Sequence, residues 1–133
     1  MYVDIWPDCP ATGASANANM ILSFFELFKE DILLYQQIID VIDDLENETK
    51  MDALYDDEDE PLVKPLTGTT RPLFELRIPP RRPAGVARIY FCYDNKSPDR
   101  IILLDRELKT NWRRSANRSI TTLCEQRYRE MFG

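Results

Sequence analysis

The segment Leu73-Phe74-Glu75-Leu76-Arg77-Ile78 alternates apolar and charged side chains. We predict the fold of the rest of the chain by starting from this segment. A period of two indicates a β-strand with one face on the core and the other face polar. A second alternating segment, 86–93, follows across a proline-rich loop, and a third, 100–105, is apolar on both faces. The third pattern is typical of a central strand. Short turns between successive strands predict an antiparallel meander.

Helical spacing lies on both sides of this meander. Apolar residues recur at intervals of three and four over 20–28 and again over 34–45, with Lys29-Glu30-Asp31 between the two stripes. We expect a helical hairpin or one broken helix over 18–47. A last amphipathic stripe, at Ile120, Leu123, Cys124, Tyr128 and Met131, predicts a C-terminal helix.

These elements predict one α+β domain over the whole chain, 1–133, because its length suits a single hydrophobic core. The expected order is a short strand over 1–6, two N-terminal helices, a meander of three to four antiparallel strands, and a C-terminal helix. We expect the helices to pack on one face of the sheet.

The two halves of the chain carry opposite charge. Residues 1–70, the acidic helical half, hold 16 Asp and Glu against 3 Lys and Arg, a net charge of −13. Residues 71–133, the basic sheet half, hold 7 against 14, a net charge of +7, so the total of −6 hides a basic surface. Such a basic half favours binding of a polyanion such as a nucleic acid.

Residue types that are absent narrow the chemistry. The chain has no histidine, which excludes Ser-His-Asp and Cys-His catalysis and most zinc catalysis. A general base must then be a carboxylate, Lys, Tyr or Cys. Three widely spaced cysteines, Cys9, Cys92 and Cys124, predict buried free thiols instead of a disulfide framework or a zinc knuckle.

The remaining composition points to the cytoplasm. No apolar run reaches the length of a membrane span, and the first residues lack the pattern of a signal peptide. We therefore expect no contact with a membrane. The acidic run 56–60 predicts a solvated loop, because calcium loops interleave their ligands with glycine and this run has none. We expect no metal and no cofactor.

The strand motifs together resemble the RelE/ParE toxin superfamily, and within it the HigB-like, phage-associated branch. The 73–78 segment is similar to that branch's "LYELR", Ala87-Arg88-Ile89-Tyr90-Phe91 to "YRILYFF", and Arg100-Ile101-Ile102-Leu103-Leu104 to the start of "IVLLHGFVKK". Upstream, residues 61–68 resemble the "yVKxLeG" stretch. The order and spacing of the motifs extend the resemblance over nearly the whole chain.

The resemblance implies a RelE-like fold and a toxin of a type II toxin–antitoxin system. Such a toxin is a ribosome-dependent mRNA endonuclease (an mRNA interferase) that needs no metal. Its partners would be mRNA on the ribosome and a cognate antitoxin, and a homodimer is an open alternative. Relatives in the ParE branch poison DNA gyrase instead. A catalytically inactive interaction protein on the same fold is a further alternative.

The resemblance also implies roles for single residues. Arg88 is the arginine of the "YR" motif and would support the scissile phosphate. Lys109 matches the first lysine after the last strand and would donate a proton or clamp a phosphate. Tyr90 is a nearby tyrosine able to move a proton. The competing interpretations are a strand arginine paired with Glu75, a surface lysine and a shielding tyrosine. The expected RNA-binding residues are Arg77, Arg81, Arg82, Arg106, Arg113, Arg114 and Arg118.

The chain departs from the family pattern at the end of the last motif. The family's "HGF" is Asp105-Arg106-Glu107 here, and its double lysine is Lys109-Thr110. Asp105 and Glu107 add negative charge where a phosphate would bind. These departures predict catalysis that is slow, altered or lost, and a protein that only binds remains an alternative.

Overall fold

The computed structural model describes five stretches of the chain, 1–13, 18–47, 63–79, 86–109 and 118–133. The acidic run 56–60 lies outside the described residues. So do four of the expected RNA-binding residues, Arg81, Arg82, Arg113 and Arg114.

In the described residues, one mixed sheet packs with three α-helices. The strands are β1 (Tyr2–Ile5), β2 (Val63–Pro65), β3 (Phe74–Ile78), β4 (Val86–Asp94) and β5 (Ser97–Lys109). The helices are α1 (Ala18–Phe25), α2 (Ile32–Asn47) and α3 (Arg118–Phe132). The strand order across the sheet is β1-β5-β4-β3-β2. The α+β class is confirmed, and β2 to β5 form an antiparallel meander.

The number and arrangement of strands differ from the prediction of three to four antiparallel strands. The sheet has five, and β1 pairs parallel with β5, with Tyr2 opposite Arg100 and Ile5 opposite Leu103. The additional strand β2 has three residues, too few to show an alternating pattern, and it pairs with β3. The parallel pairing joins segments about a hundred residues apart, so no local turn signal announces it.

The helices cover both faces of the sheet, and the prediction that they share one face is wrong. Helix α2 packs with α1, Ile89 and Phe91 in one core cluster. Helix α3 packs with Tyr90 and Cys92, whose side chains leave β4 on the opposite face, in a second cluster. Because the middle parts of β4 and β5, 89–92 and 101–104, are apolar on both faces, each face needs a cover that excludes water.

The helical span 18–47 contains a break. Helix α1 ends in a 3₁₀ turn, Glu26–Phe28, and Asp31 then accepts a hydrogen bond of 3.1 Å from the backbone N–H of Leu34. A side-chain oxygen in this position satisfies an unpaired donor in the first turn of α2 and fixes where that helix begins. The separation of the two apolar stripes at 29–31 is confirmed.

The cysteines are free and buried, as predicted. Burial raises the pKa of the Cys92 thiol to about 12, and it raises that of Cys124 to about 12 as well. Both thiols therefore remain protonated and act as small apolar side chains in the α3 cluster. No helix in the described part of the chain combines the length and apolar character needed to cross a membrane.

Arg127 fastens α3 to the sheet. Its guanidinium lies 4.3 Å above the ring of Trp6, donates a hydrogen bond to the carbonyl of Leu104 and approaches Asp105 to 3.8 Å. One side chain thereby joins α3 to the chain that follows β1 and to the middle of β5.

We expect Arg127→Ala to lower the free energy of unfolding by about 1–3 kcal/mol, because it removes a cation–π contact and a charge-assisted hydrogen bond. Urea unfolding followed by circular dichroism measures the loss. The matched control is Arg129→Ala, an exposed arginine of the same helix, which should stay within about 0.5 kcal/mol of the parent. Equal effects of the two substitutions would contradict the anchoring role.

Candidate functional site

Three neighbouring strands bring charged side chains onto one face of the sheet. Arg77 of β3 lies opposite Arg88 of β4, which lies opposite Glu107 of β5. In the adjacent row Glu75 lies opposite Tyr90. Directly opposed residues share a face, and Tyr90 assigns this one to the α3 side. We call the following group the charge cluster: Glu75, Arg77, Arg88, Tyr90, Glu107 and Lys109.

Most of the charge cluster is enclosed. Arg88 is 2% exposed, Tyr90 0%, Glu75 5% and Glu107 9%. The guanidinium of Arg88 therefore does not lie at an open surface. Only at an open surface would it contact a phosphate directly. The side chains of Arg77 and Lys109 are each 17% exposed, and they form the part of the cluster that solvent reaches.

Glu75 is the carboxyl of the charge cluster whose pKa departs from its ordinary value. Burial raises the pKa of its carboxyl, while the positive charges of Arg88, Arg77 and Lys64 oppose that rise. The Nε atom of Arg77 is 4.0 Å from one carboxylate oxygen, and the other oxygen accepts no hydrogen bond from the described residues. A carboxyl in this state takes up a proton more readily than an exposed glutamate, as a general base requires.

Tyr90 and Lys109 converge on the same oxygen of Glu107. The hydroxyl of Tyr90 donates a hydrogen bond to Oε1 of Glu107, and Nζ of Lys109 is 3.6 Å from that atom. Burial and this hydrogen bond raise the pKa of Tyr90 far above its usual value. The raised pKa favours the protonated hydroxyl of Tyr90, which donates to Glu107, and the same oxygen of Glu107 faces Lys109.

The remaining described arginines of the expected RNA surface lie apart from the charge cluster. Arg106 extends from the opposite face of β5, where its Nε donates a 2.7 Å hydrogen bond to the carbonyl of Phe24. Its guanidinium carbon also lies 4.8 Å from the ring of Phe24, so this arginine ties α1 to the sheet. Arg118 is exposed at the start of α3. Of the described candidates for RNA binding, only Arg77 joins the charge cluster.

Sequence reasoning missed two members of the cluster. Glu75 entered only as an ion-pair partner of Arg88, and Glu107 only as a departure from the family pattern. The third strand was expected to end at Asp105, but β5 continues to Lys109. Charged residues dominate that extension, which hides its strand character, although the spacing of Glu107 and Lys109 places both on one face.

The described residues include no group of three or more His, Cys, Asp or Glu side chains arranged to hold a metal ion.

Comparison of the chain with protein-family models, with curated proteins and with solved structures yields no match in any of the three. A functional proposal accordingly depends on the geometry of the charge cluster together with the resemblance in the strand motifs.

The raised pKa of Glu75 predicts a pH dependence of stability. A carboxyl that holds its proton more tightly in the folded state loses stability as it ionises. The free energy of unfolding of the parent, relative to Glu75→Gln, should therefore fall as the pH rises from the ordinary pKa of 4.5 through the raised pKa of the folded state. Urea unfolding at a series of pH values measures the difference. Glu130→Gln, an exposed control on α3, should follow the parent. If the unfolding free energy of the parent relative to Glu75→Gln instead grew with pH, the pKa of Glu75 would be lowered in the folded state and the prediction would be wrong.

The hydrogen bond from Tyr90 predicts a loss of stability in Tyr90→Phe. Removing the hydroxyl leaves a buried carboxylate with one donor fewer, at a cost of about 1.5–3 kcal/mol of unfolding free energy. Thermal and urea unfolding measure this cost. Tyr2→Phe, at a position that is 60% exposed, is the control and should leave the unfolding free energy unchanged. Parent-like stability of Tyr90→Phe would rule out this role for the hydroxyl.

Proposed function

We propose that this chain is a RelE-type toxin that cleaves mRNA on the ribosome, and that the charge cluster is its reaction site. The observation that carries the proposal is the position of Glu75, a carboxyl with a raised pKa, on one face of the sheet with two arginines and a lysine. Acid–base and phosphate-binding groups are the two functions that metal-independent RNA cleavage needs.

The proposed reaction is an internal transesterification. The ribose 2′-oxygen loses its proton and attacks the adjacent phosphorus, and the bond from phosphorus to the 5′-oxygen breaks. The 5′-oxygen then takes up a proton, which leaves a 2′,3′-cyclic phosphate and a 5′-hydroxyl end. Glu75 would accept the first proton, because burial raises the pKa of its carboxyl.

The cations would divide the remaining work. Arg77 and Lys109 reach solvent and would contact the phosphate, and Lys109 would donate the proton to the leaving 5′-oxygen. Arg88, enclosed behind them, adds positive charge next to Glu75 and strengthens the field on the phosphate. The other basic residues of the 71–133 half would position RNA through its backbone. A cognate antitoxin would silence this site, and the protein would act in the cytoplasm, where ribosomes are.

A second candidate function is supported by the enclosure of the cluster. Arg88 and Tyr90 are almost fully buried, and two carboxylates offset the charge of the cations. Such a compensated cluster also suits a purely structural role. The protein would then be a non-enzymatic interaction module that retains the toxin-like fold, or a gyrase poison of the ParE kind.

Mapping of mRNA ends after induced expression separates these functions. A nuclease should create new, translation-dependent ends, and Glu75→Gln should reduce their yield by roughly a hundredfold or more, the contribution typical of a general base. Glu130→Gln, with the same chemical change on an exposed helix face, should cleave like the parent.

Three other results would each change the conclusion. Growth arrest with intact mRNA would contradict the nuclease and favour the interaction module or gyrase poison. Harmless expression with intact mRNA would contradict every toxin function. Undiminished cleavage by a folded Glu75→Gln variant would retain the nuclease but remove Glu75 from its chemistry.

A further inference from the structure

An open groove of about 550 Å³ lies between the break in the α1–α2 segment and the end of β5. The 3₁₀ turn contributes Leu27, the first turn of α2 contributes Ile32 and Leu33, and β5 contributes Leu108. Leu108 alternates with Glu107 and Lys109 along β5, so its side chain leaves the sheet on the face opposite the charge cluster. The groove and the cluster therefore lie back to back.

The groove gathers exposed apolar side chains. Within the described ranges seven large hydrophobic residues are exposed, and four of them line this one groove. Ile32 is 77% exposed, Leu33 73%, Leu27 53% and Leu108 43%. Single exposed leucines are ordinary, but several that share one concavity mark a surface that another molecule covers.

The charge around the groove indicates what kind of molecule covers it. The charged residues that line it are Glu30 and Asp31, both acidic. They belong to the 1–70 half, whose net charge is −13. A second copy of this chain would bring the same acidic rim against itself across a twofold axis, which like-charge repulsion disfavours.

We infer that this groove binds a basic amphipathic segment of a partner protein. Leucine-sized side chains of that segment would fill the space around Ile32 and Leu33, and its lysines or arginines would face Glu30 and Asp31. The inference goes beyond the proposed RNA cleavage and does not depend on it, since the bound segment would leave the charge cluster uncovered.

The test uses a synthetic Leu/Lys amphipathic peptide of about five helical turns as the probe, with binding measured by fluorescence anisotropy at about 0.15 M salt. The double substitution Ile32→Ser with Leu33→Ser should raise Kd at least about tenfold, a change of roughly 1.4 kcal/mol. Leu123→Ser, at an exposed leucine on α3, is the matched control and should change Kd less than about twofold. Circular dichroism verifies that each variant is folded.

A charge-matched pair tests the acidic rim. Glu30→Lys and Glu130→Lys change the net charge of the chain equally, but only the first alters the groove. Glu30→Lys should weaken binding at least about fivefold more than Glu130→Lys. Equal weakening by the pair, or parent-like binding by the Ile32 and Leu33 variant, would overturn the inference. So would a parent dimer in sedimentation that this variant dissociates, because a second copy would then occupy the groove.

Discussion

Two carboxylates and a guanidinium, those of Glu75, Glu107 and Arg88, are buried side by side on adjacent strands of this sheet. Each of these charges alone would be strongly unfavourable in a low-dielectric interior, so each depends on its neighbours. A slip of one residue between β3 and β4 would turn the charged side chains of β3 towards the apolar core under α1 and α2. Mutual compensation of these charges on the α3 side therefore favours the observed strand register.

The same row determines what the site can do chemically. Burial favours the protonated form of Glu75, while Arg88 and Arg77 oppose that effect. The pKa of this carboxyl therefore depends on the balance between its burial and the neighbouring positive charges. Tyr90 and Lys109 share one oxygen of Glu107, which fixes Lys109 near the solvent-facing side of the cluster. In the proposed reaction RNA would first contact Arg77 and Lys109, which solvent reaches, and Glu75 would then accept the proton from the enclosed side of the cluster.

Local patterns predicted the antiparallel strands, the break between α1 and α2 and the C-terminal helix. Alternation and helical periodicity depend only on residues that are close together in the sequence. They did not predict the pairing of β1 with β5, which joins distant segments, or β2, which is too short to alternate. The apolar character of 100–105 on both faces was recognised, but its consequence, helices on both sides of the sheet, was not drawn. Among the candidate residues, Arg88, Tyr90 and Lys109 lie together in the charge cluster, whereas the placement of Glu75 and Glu107 beside them required the register of three strands.

Burial raises the pKa of the Glu75 carboxyl although the nearby cations lower it, and the proposed chemistry depends on that net rise. Carbon-13 NMR of the Glu75 side-chain carboxyl, followed through a pH titration, measures that value directly. The account predicts a titration midpoint above 4.5, and a further rise in Arg77→Gln, because that substitution removes a positive charge that lowers it. A midpoint at or below 4.5, or one that Arg77→Gln leaves unchanged, would contradict the account.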